Sequence, residues 1–226
     1  MRRLLDLALA LPLFALALPL IGILALVIKL DSPGPTFYRC RRVGFRGRSF
    51  DMLKLRKMAH GAAGPALTAA NDARLTRCGR FLAATKLDEL PQLWHVLLGQ
   101  MSLVGPRPED PSFVALFPQE YAQICSVKPG ITGLCQRAFT RESAILGTDE
   151  GVSSYVDRLL PAKVRIDLLY ARERTIKMDL RILVWTAIAL GLRKDVAVHR
   201  GSGRLSIRKR LPVSPQPAGE AGESTC

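Results

Sequence analysis

The sequence predicts an α+β fold, mostly helical, in which an apolar N-terminal helix and a short β-hairpin precede amphipathic interfacial helices around one small domain. Three observations carry this prediction: an uninterrupted apolar stretch near the N-terminus, a β-branched and aromatic stretch broken by a glycine turn, and apolar residues at helical spacing farther on. The expected divisions are a membrane helix over 1–31, a globular domain over 32–194 and a disordered tail over 195–226, first basic and then rich in Pro and Gly.

Composition restricts the class of protein. The 226 residues suit one domain with attachments, and 33 Lys and Arg against 19 Asp and Glu give a net charge of +14, which predicts an anionic partner. Five cysteines without a C-x-x-C pair argue against a disulfide framework and a zinc ribbon. Three widely spaced histidines give little support to a histidine-based metal site.

The first element is the apolar stretch from Leu7 to Ile28, which holds 22 residues without a charge or a hydrogen-bonding side chain. As a helix it would extend ~33 Å, about the thickness of a bilayer core. Basic residues flank it on both sides, so the positive-inside rule favours both ends in the cytoplasm. Pro12 and Pro19 favour the kink that a re-entrant path requires, but a single span with tolerated prolines fits the residues equally well.

The next element is a β-hairpin, followed mainly by helices. Residues 36–41 have the composition of a strand, Gly44 to Gly47 supply a turn and residues 49–58 alternate loosely. The basic side chains of this hairpin suit a surface of anionic membrane phospholipid. An amphipathic helix is expected just after Asp88, on the following residues: Leu90, Leu93, Trp94, Leu97 and Leu98.

Two further helices are expected near the C-terminal end of the domain, over 162–174 and 179–192. The second is apolar but too short to span a membrane, so it is either interfacial or buried. Residues 60–73 are rich in Gly and Ala and are typical of a mobile loop or a weak helix.

The candidate chemistry begins at Asp88 and Glu89. Pro91 is tolerated only in the first turn of a helix, which places Asp88 at or near the N-cap. There the helix dipole keeps the carboxylate ionised, as a nucleophile attacking phosphorus or a Mg²⁺ ligand requires, and Glu89 can share the ion. The alternative is an ordinary helix cap followed by a first-turn charge.

A second block places Arg107 between Pro106 and Pro108, which restrict the backbone on both sides. A guanidinium held in this way suits two phosphate oxygens, and the alternative is an ion pair with Glu109 or Asp110. The sequence contains no G-x-x-x-x-G-K-[ST] loop, so phosphate must be bound in another way.

Three motifs, at 87–93, 104–108 and 128–133, together resemble the bacterial sugar transferase family of small monotopic phosphoglycosyl transferases, and the resemblance covers about residues 2–192. It implies a re-entrant membrane helix broken at Pro19 and a catalytic dyad of Asp88 and Glu89 that also binds Mg²⁺. In such a reaction Asp88 attacks the β-phosphorus of a UDP-sugar, UMP leaves, and undecaprenyl phosphate accepts the sugar-1-phosphate from the covalent intermediate.

The resemblance also implies a location and a set of phosphate contacts. The catalytic domain over 32–194 would face the cytoplasm from the bacterial inner membrane and begin the synthesis of a glycoconjugate. The family usually has an arginine five residues before the catalytic Asp, where this chain has Ala83, so Lys86 or Arg80 would substitute for it. The basic residues expected at phosphate are the following: Lys54, Arg56, Arg80, Lys86, Arg107 and Lys128.

Two other classes of protein remain compatible with the sequence. One is a non-enzymatic, membrane-anchored basic protein that binds anionic lipid, and the other is an inactive scaffold with the same fold. A nucleic-acid partner is not expected, because basic and aromatic residues are not interleaved. A homodimer is compatible with the sequence but not required by it, and no segment indicates which sugar is transferred.

Overall fold

The computed structural model describes residues 1–64, 68, 72–139, 151–192, 196–198 and 205–207. In this part of the chain the fold is mostly helical with short sheets, as predicted. The α-helices are α1 (Arg2–Asp31), α2 (Arg77–Thr85), α3 (Gln92–Leu97), α4 (Pro111–Val114), α5 (Pro118–Ile124), α6 (Leu134–Ala138), α7 (Gly151–Ser154), α8 (Leu160–Glu173) and α9 (Ile176–Leu192), and a π-helical turn, Tyr155–Leu159, joins α7 to α8. The strands are β1 (Phe37–Val43), β2 (Ser49–Leu55), β3 (Ser102–Val104), β4 (Gly130–Thr132), β5 (Val196–Val198) and β6 (Leu205–Ile207).

The predicted hairpin is confirmed by the antiparallel pairing of β1 and β2, with Phe37 opposite Leu55 and Val43 opposite Ser49. The connecting 3₁₀ turn, Phe45–Gly47, needs backbone with positive φ, and Arg46 and Gly47 adopt +57° and +70°. Glycine adopts this region without steric cost. The hairpin therefore forms where the local turn signal predicted it.

Helix α1 is long and apolar enough to cross a membrane, and it also lies against the globular domain along one face. Its buried apolar residues recur every three to four or seven positions: Ala10, Ala17, Ile21, Leu24 and Ile28. At its N-terminal end Arg3 donates hydrogen bonds to the carbonyls of Val96 and Leu97 at the end of α3. At its C-terminal end Asp31 accepts one from the amide of Cys78 in α2, at 3.1 Å. Both ends of α1 thus contact the same domain.

The parallel pair β3 and β4 brings two distant motifs into backbone contact. Ser102 pairs with Gly130 and Val104 with Thr132. A side chain cannot fit between them, because a Cβ on Gly130 would lie 2.0 Å from the amide nitrogen of Gly105. Parallel strands have their carboxyl ends at one edge of a sheet, so the segments after β3 and β4 emerge side by side.

Two predicted segments differ from the structure. The helix expected just after Asp88 is divided into a 3₁₀ turn, Leu87–Glu89, and the shorter α3, because Pro91 has no amide proton to continue the hydrogen-bond ladder. Within the tail predicted to be disordered, β5 and β6 pair as antiparallel strands, and their Val-Ala-Val and Leu-Ser-Ile sequences suit short strands. The rest of 195–226 lies outside the described residues.

The described ends of the loop predicted over 60–73 contain no helix, and residues 65–67 and 69–71 lie outside the described part. The loop is closed at its base by pairing between Met58 and Leu75. The two C-terminal helices are confirmed as α8 and α9, with α8 beginning two residues earlier and α9 three residues earlier than predicted.

Candidate active site

Asp88 occupies the middle of the 3₁₀ turn that joins α2 to α3. The chain enters this turn through Lys86, whose φ of +61° lies in the left-handed region and reverses the path of the backbone. The side chain of Asp88 is buried, and its Oδ1 has no hydrogen-bond partner in the part of the chain that the structure describes. The predicted N-cap role is wrong, because the residue before α3 is Pro91 and no side chain among the described residues caps that helix. The carboxylate of Asp88 is therefore not used to stabilise a helix.

Glu89 is held by two cations from different parts of the chain. Its Oε1 accepts a hydrogen bond from Nη2 of Arg107 at 2.7 Å and one from Nζ of Lys54 at 3.2 Å. Burial acts to raise the pKa of Glu89, but the charges of Arg107 and Lys54 outweigh it and hold this pKa well below its usual range. Glu89 is consequently ionised at neutral pH.

The two acids proposed as alternative partners of Arg107 are held by other cations. Asp110 accepts from Arg42 at 2.9 Å, and Glu109 lies 3.4 Å from Nζ of Lys163. Arg107 itself lies 2.7 Å from Glu89. The arginine between the two prolines is thus directed at the dyad.

Lys57 is a further cation beside the dyad, although no role was predicted for it. Its Nζ lies 3.7 Å from Oδ2 of Asp88. Burial lowers the pKa of Lys57, and the charge of Asp88 opposes that effect. The signal in the sequence was the basic run after β2, but spacing alone does not show which of its members faces Asp88.

Two of the expected phosphate contacts have other partners. Arg56 is buried, and its guanidinium donates to the carbonyls of Ser32 and Pro33, so it holds the segment after α1. Arg80 is exposed and donates to the carbonyl of Leu75 at 3.5 Å. Neither contact includes a carboxylate of the dyad.

Lys86 and Lys128, the other two expected phosphate contacts, have different surroundings. Lys86 is exposed and directly precedes the 3₁₀ turn, where its charge helps to lower the pKa of Glu89. Lys128 lies near Gly99 and Arg3, because a Cβ on that glycine would be 3.5 Å from Nζ of Lys128 and 3.5 Å from the Arg3 guanidinium. Its ammonium group therefore lies near the N-terminal end of α1 and near the residues that follow α3.

A buried polar network supports the segment that carries Arg107. Oε2 of Glu109 accepts a hydrogen bond from the hydroxyl of Tyr155 at 3.1 Å, and that hydroxyl accepts one from Nζ of Lys163 at 2.7 Å. Nearby, burial raises the pKa of Asp167 to about 8, although the charge of Lys163 acts against it. These groups fix Glu109 two residues beyond Arg107, and so restrict where the guanidinium can lie.

The dyad fits a magnesium ion only if the substrate supplies further ligands. Among the residues that the structure describes, no cluster of three or more His, Cys, Asp or Glu side chains could enclose a metal. The unpartnered Oδ1 of Asp88 is a buried oxygen available for an ion or an electrophile. Mg²⁺ commonly binds one or two carboxylates together with waters and substrate phosphates, so Asp88 and Glu89 fit it in that form.

The arrangement combines a buried, unshared carboxylate oxygen with a concentration of positive charge. The cations around Asp88 and Glu89 are Lys54, Lys57, Lys86, Arg107 and Arg137. Against two carboxylates they leave an excess of positive charge, which favours a substrate with several negative charges. Such a site can bind a diphosphate and place its phosphorus next to a nucleophile.

Comparison with known proteins gives a consistent set of relatives. A family model described as bacterial sugar transferase matches residues 1–193. The UDP-glucose:undecaprenyl-phosphate glucose-1-phosphate transferase of Caulobacter vibrioides is 40% identical over 195 residues, which cover 84% of this chain and 69% of that protein. The exopolysaccharide production protein PSS of Rhizobium leguminosarum bv. phaseoli is 36% identical over 201 residues, covering 84% of this chain and 94% of that protein.

A longer relative matches over only part of its length. The UDP-glucose:undecaprenyl-phosphate glucose-1-phosphate transferase of Xanthomonas campestris pv. campestris is 40% identical over 177 residues, which cover 75% of this chain but 34% of that protein. This chain therefore spans about a third of that relative.

Proposed function

Since the chain belongs to the bacterial sugar transferase family, we propose that it transfers a sugar-1-phosphate from a UDP-sugar to undecaprenyl phosphate and releases UMP. The observation that carries this proposal is the buried Asp88 carboxylate, which has one unpartnered oxygen beside a Glu89 held by Arg107 and Lys54. The relatives named for this reaction with UDP-glucose support the substrate class.

In the first step Oδ1 of Asp88 attacks the β-phosphorus of the donor. A bond forms between this oxygen and phosphorus, the bond from phosphorus to the bridging oxygen breaks, and UMP leaves with that oxygen and its electron pair. Arg107 and Lys54, which both donate to Oε1 of Glu89, would bind the phosphate oxygens of the donor. Charge-assisted hydrogen bonds of this kind stabilise the transferring phosphoryl group.

In the second step a phosphate oxygen of undecaprenyl phosphate attacks the same phosphorus atom. The bond to Asp88 breaks, the carboxylate is restored, and the product is undecaprenyl diphosphate sugar. One phosphoanhydride is exchanged for another through a mixed anhydride, so the reaction needs no separate energy source. Lys57, at 3.7 Å from Asp88, compensates the charge of the carboxylate as it departs.

Asp88 and Glu89 would hold a magnesium ion, which would neutralise negative charge on the diphosphate of the donor. Glu89 is ionised at neutral pH because cations hold its pKa low, and is thus in the form that binds a divalent cation. Its partners Arg107 and Lys54 would neutralise part of the remaining negative charge of the complex.

We also infer that α1 enters and leaves the inner membrane on its cytoplasmic face. The supporting observation is that Arg3 near one end and Asp31 at the other both contact the globular domain, through α3 and α2. A straight span would place these ends on opposite sides of a bilayer. Pro12 and Pro19 lie inside α1 and remove two backbone donors where a bend would form.

The function is tested with membrane-embedded protein, undecaprenyl phosphate, Mg²⁺ and a panel of UDP-sugars. UMP release that depends on the acceptor lipid, and that disappears in Asp88→Asn, is the expected result and identifies the sugar. No release with any donor, from folded protein in the membrane fraction, would support the inactive scaffold instead.

A further inference from the structure

Arg137 in α6 is a cation within electrostatic range of Glu89, and no motif identified it. The parallel pairing of β3 and β4 explains its position, because the segments after both strands emerge at one edge of the sheet. Arg107 lies three residues after β3, and Arg137 lies five residues after β4. The two segments touch where a Cβ on Gly133 would lie 2.1 Å from the carbonyl oxygen of Gly105.

The side chain of Arg137 contains a buried polar atom that the fold does not use. Its Nε is buried and has no hydrogen-bond partner among the described residues. A buried unpaired donor costs free energy and is uncommon unless a ligand pairs with it. The adjacent Gln136 has a buried, unpaired Oε1, so two neighbouring side chains at this edge leave polar atoms unsatisfied.

Electrostatics agree with the position of Arg137 near the dyad. Burial lowers the pKa of Arg137, and the charge of Glu89 acts in the opposite direction, so the two side chains are within electrostatic range. Glu89 already accepts from Arg107 and Lys54. A third cation within electrostatic range of this carboxylate is more than one carboxylate requires, and it favours binding of an additional anion.

The resemblance predicts a cation at one position where this chain has none. Ala83 stands where the resemblance predicts an arginine five residues before Asp88, and α2 lies against the 3₁₀ turn that carries the dyad. One of the two substitutes expected from the sequence, Arg80, donates instead to the carbonyl of Leu75. Arg137 approaches from α6 instead.

We propose that Arg137 binds a phosphate of the UDP-sugar and supplies the positive charge that Ala83 does not. The inference rests on the proposed function and adds a phosphate-binding residue to its site. Loss of one charge-assisted hydrogen bond predicts a decrease of roughly 10- to 100-fold in kcat/KM for Arg137→Gln. Arg137→Lys keeps the charge and should retain most of the activity.

The test measures UMP release, melting temperature and UDP binding for full-length protein in nanodiscs. UDP binding is measured in the Asp88→Asn background, where no turnover occurs, and should weaken when Arg137→Gln is added. Ala83→Arg introduced into Arg137→Gln should recover at least part of the lost kcat/KM.

The outcomes separate this inference from the function on which it rests. Wild-type protein that releases no UMP with any donor contradicts the function itself. Active wild-type protein whose kcat/KM and UDP affinity are unchanged by Arg137→Gln overturns the assignment of Arg137. The assignment also fails under a second set of results. In these, Arg137→Gln lowers both kcat/KM and the melting temperature, Arg137→Lys lowers kcat/KM as much, and Ala83→Arg added to Arg137→Gln recovers none of it. Arg137 would then only stabilise the fold.

Discussion

Removal of the guanidinium of Arg107 should impair transfer far more than it impairs folding. Arg107→Met keeps most of the aliphatic volume but deletes the donor that lies 2.7 Å from Oε1 of Glu89. Lys54 remains 3.2 Å from the same atom, so Glu89 keeps one cationic partner. The variant therefore removes the proposed phosphate ligand without leaving a carboxylate buried alone.

The cost in stability can be estimated from the exposure of the pair. Breaking a fully buried ion pair costs about 3–5 kcal/mol, whereas exposed pairs contribute about 0–1 kcal/mol. The side chains of Arg107 and Glu89 are 30% and 17% exposed, and Lys54 remains, so we expect a loss of about 1–2 kcal/mol. For a chain of this size that loss lowers the melting temperature by roughly 2–8 °C.

The pH of the assay follows from the pKa of Glu89. Cations hold this pKa below its unfolded value, so the stabilisation is present above the unfolded pKa and is lost as the pH falls through the folded one. Measurements near pH 7.5 therefore include the whole contribution. At that pH we expect kcat/KM for UMP release to fall by roughly 100- to 1,000-fold, the usual effect of losing one donor to a reacting anion.

Arg42→Met is the matched control. Arg42 lies 2.9 Å from Asp110, and the two side chains are 17% and 27% exposed, so the lost ion pair is comparable in length and burial. We expect a similar change in melting temperature with kcat/KM within about threefold of wild type. If Arg107→Met loses no more activity than Arg42→Met, Arg107 is not a phosphate ligand.

Three further changes test the support of the site. Gly130→Ala should lower the melting temperature strongly or prevent folding, since its Cβ would lie 2.0 Å from the amide nitrogen of Gly105, whereas alanine at the open Gly22 should have little effect. Lys163→Met should destabilise the protein by about 3 kcal/mol in urea unfolding, because Glu109 loses its buried ammonium partner, and a loss below about 1 kcal/mol would contradict this. Burial raises the pKa of Asp167 to about 8, so the unfolded state releases this proton first and wild-type stability should decrease between about pH 4 and 8. Asp167→Asn should reduce this decrease, measured as melting temperature against pH. A pH profile identical to that of the wild type would contradict the assignment.

Local signals predicted much of the fold. The hairpin followed from a glycine turn between β-branched stretches, and α8 and α9 followed from helical composition, because each signal acts within a few residues. The break before α3 was harder to place, since Pro91 is tolerated in a first turn but here follows a separate 3₁₀ turn. The strands β5 and β6 were missed because the surrounding composition is that of a disordered tail.

The sequence predicted the site residues that belong to a distinctive motif. It did not predict which of several similar basic residues tertiary packing brings to the dyad. Glu89 and Arg107 were singled out from their motifs, and the structure brings them together. Two basic residues of one run, Lys54 and Arg56, were indistinguishable, yet one contacts Glu89 and the other holds the segment after α1. Arg137 was missed because the contact between the β3 and β4 segments joins residues far apart in sequence.

The covalent step at Asp88 is tested most directly by trapping the intermediate. Wild-type protein is incubated without undecaprenyl phosphate and with a UDP-sugar labelled at the β-phosphate, then denatured and separated from free nucleotide. We expect label on the protein that hydroxylamine removes, that undecaprenyl phosphate discharges before denaturation, and that maps to Asp88 and is absent from Asp88→Asn. Turnover by the wild type without any protein-bound label, or label that persists in Asp88→Asn, would contradict nucleophilic attack by this carboxylate.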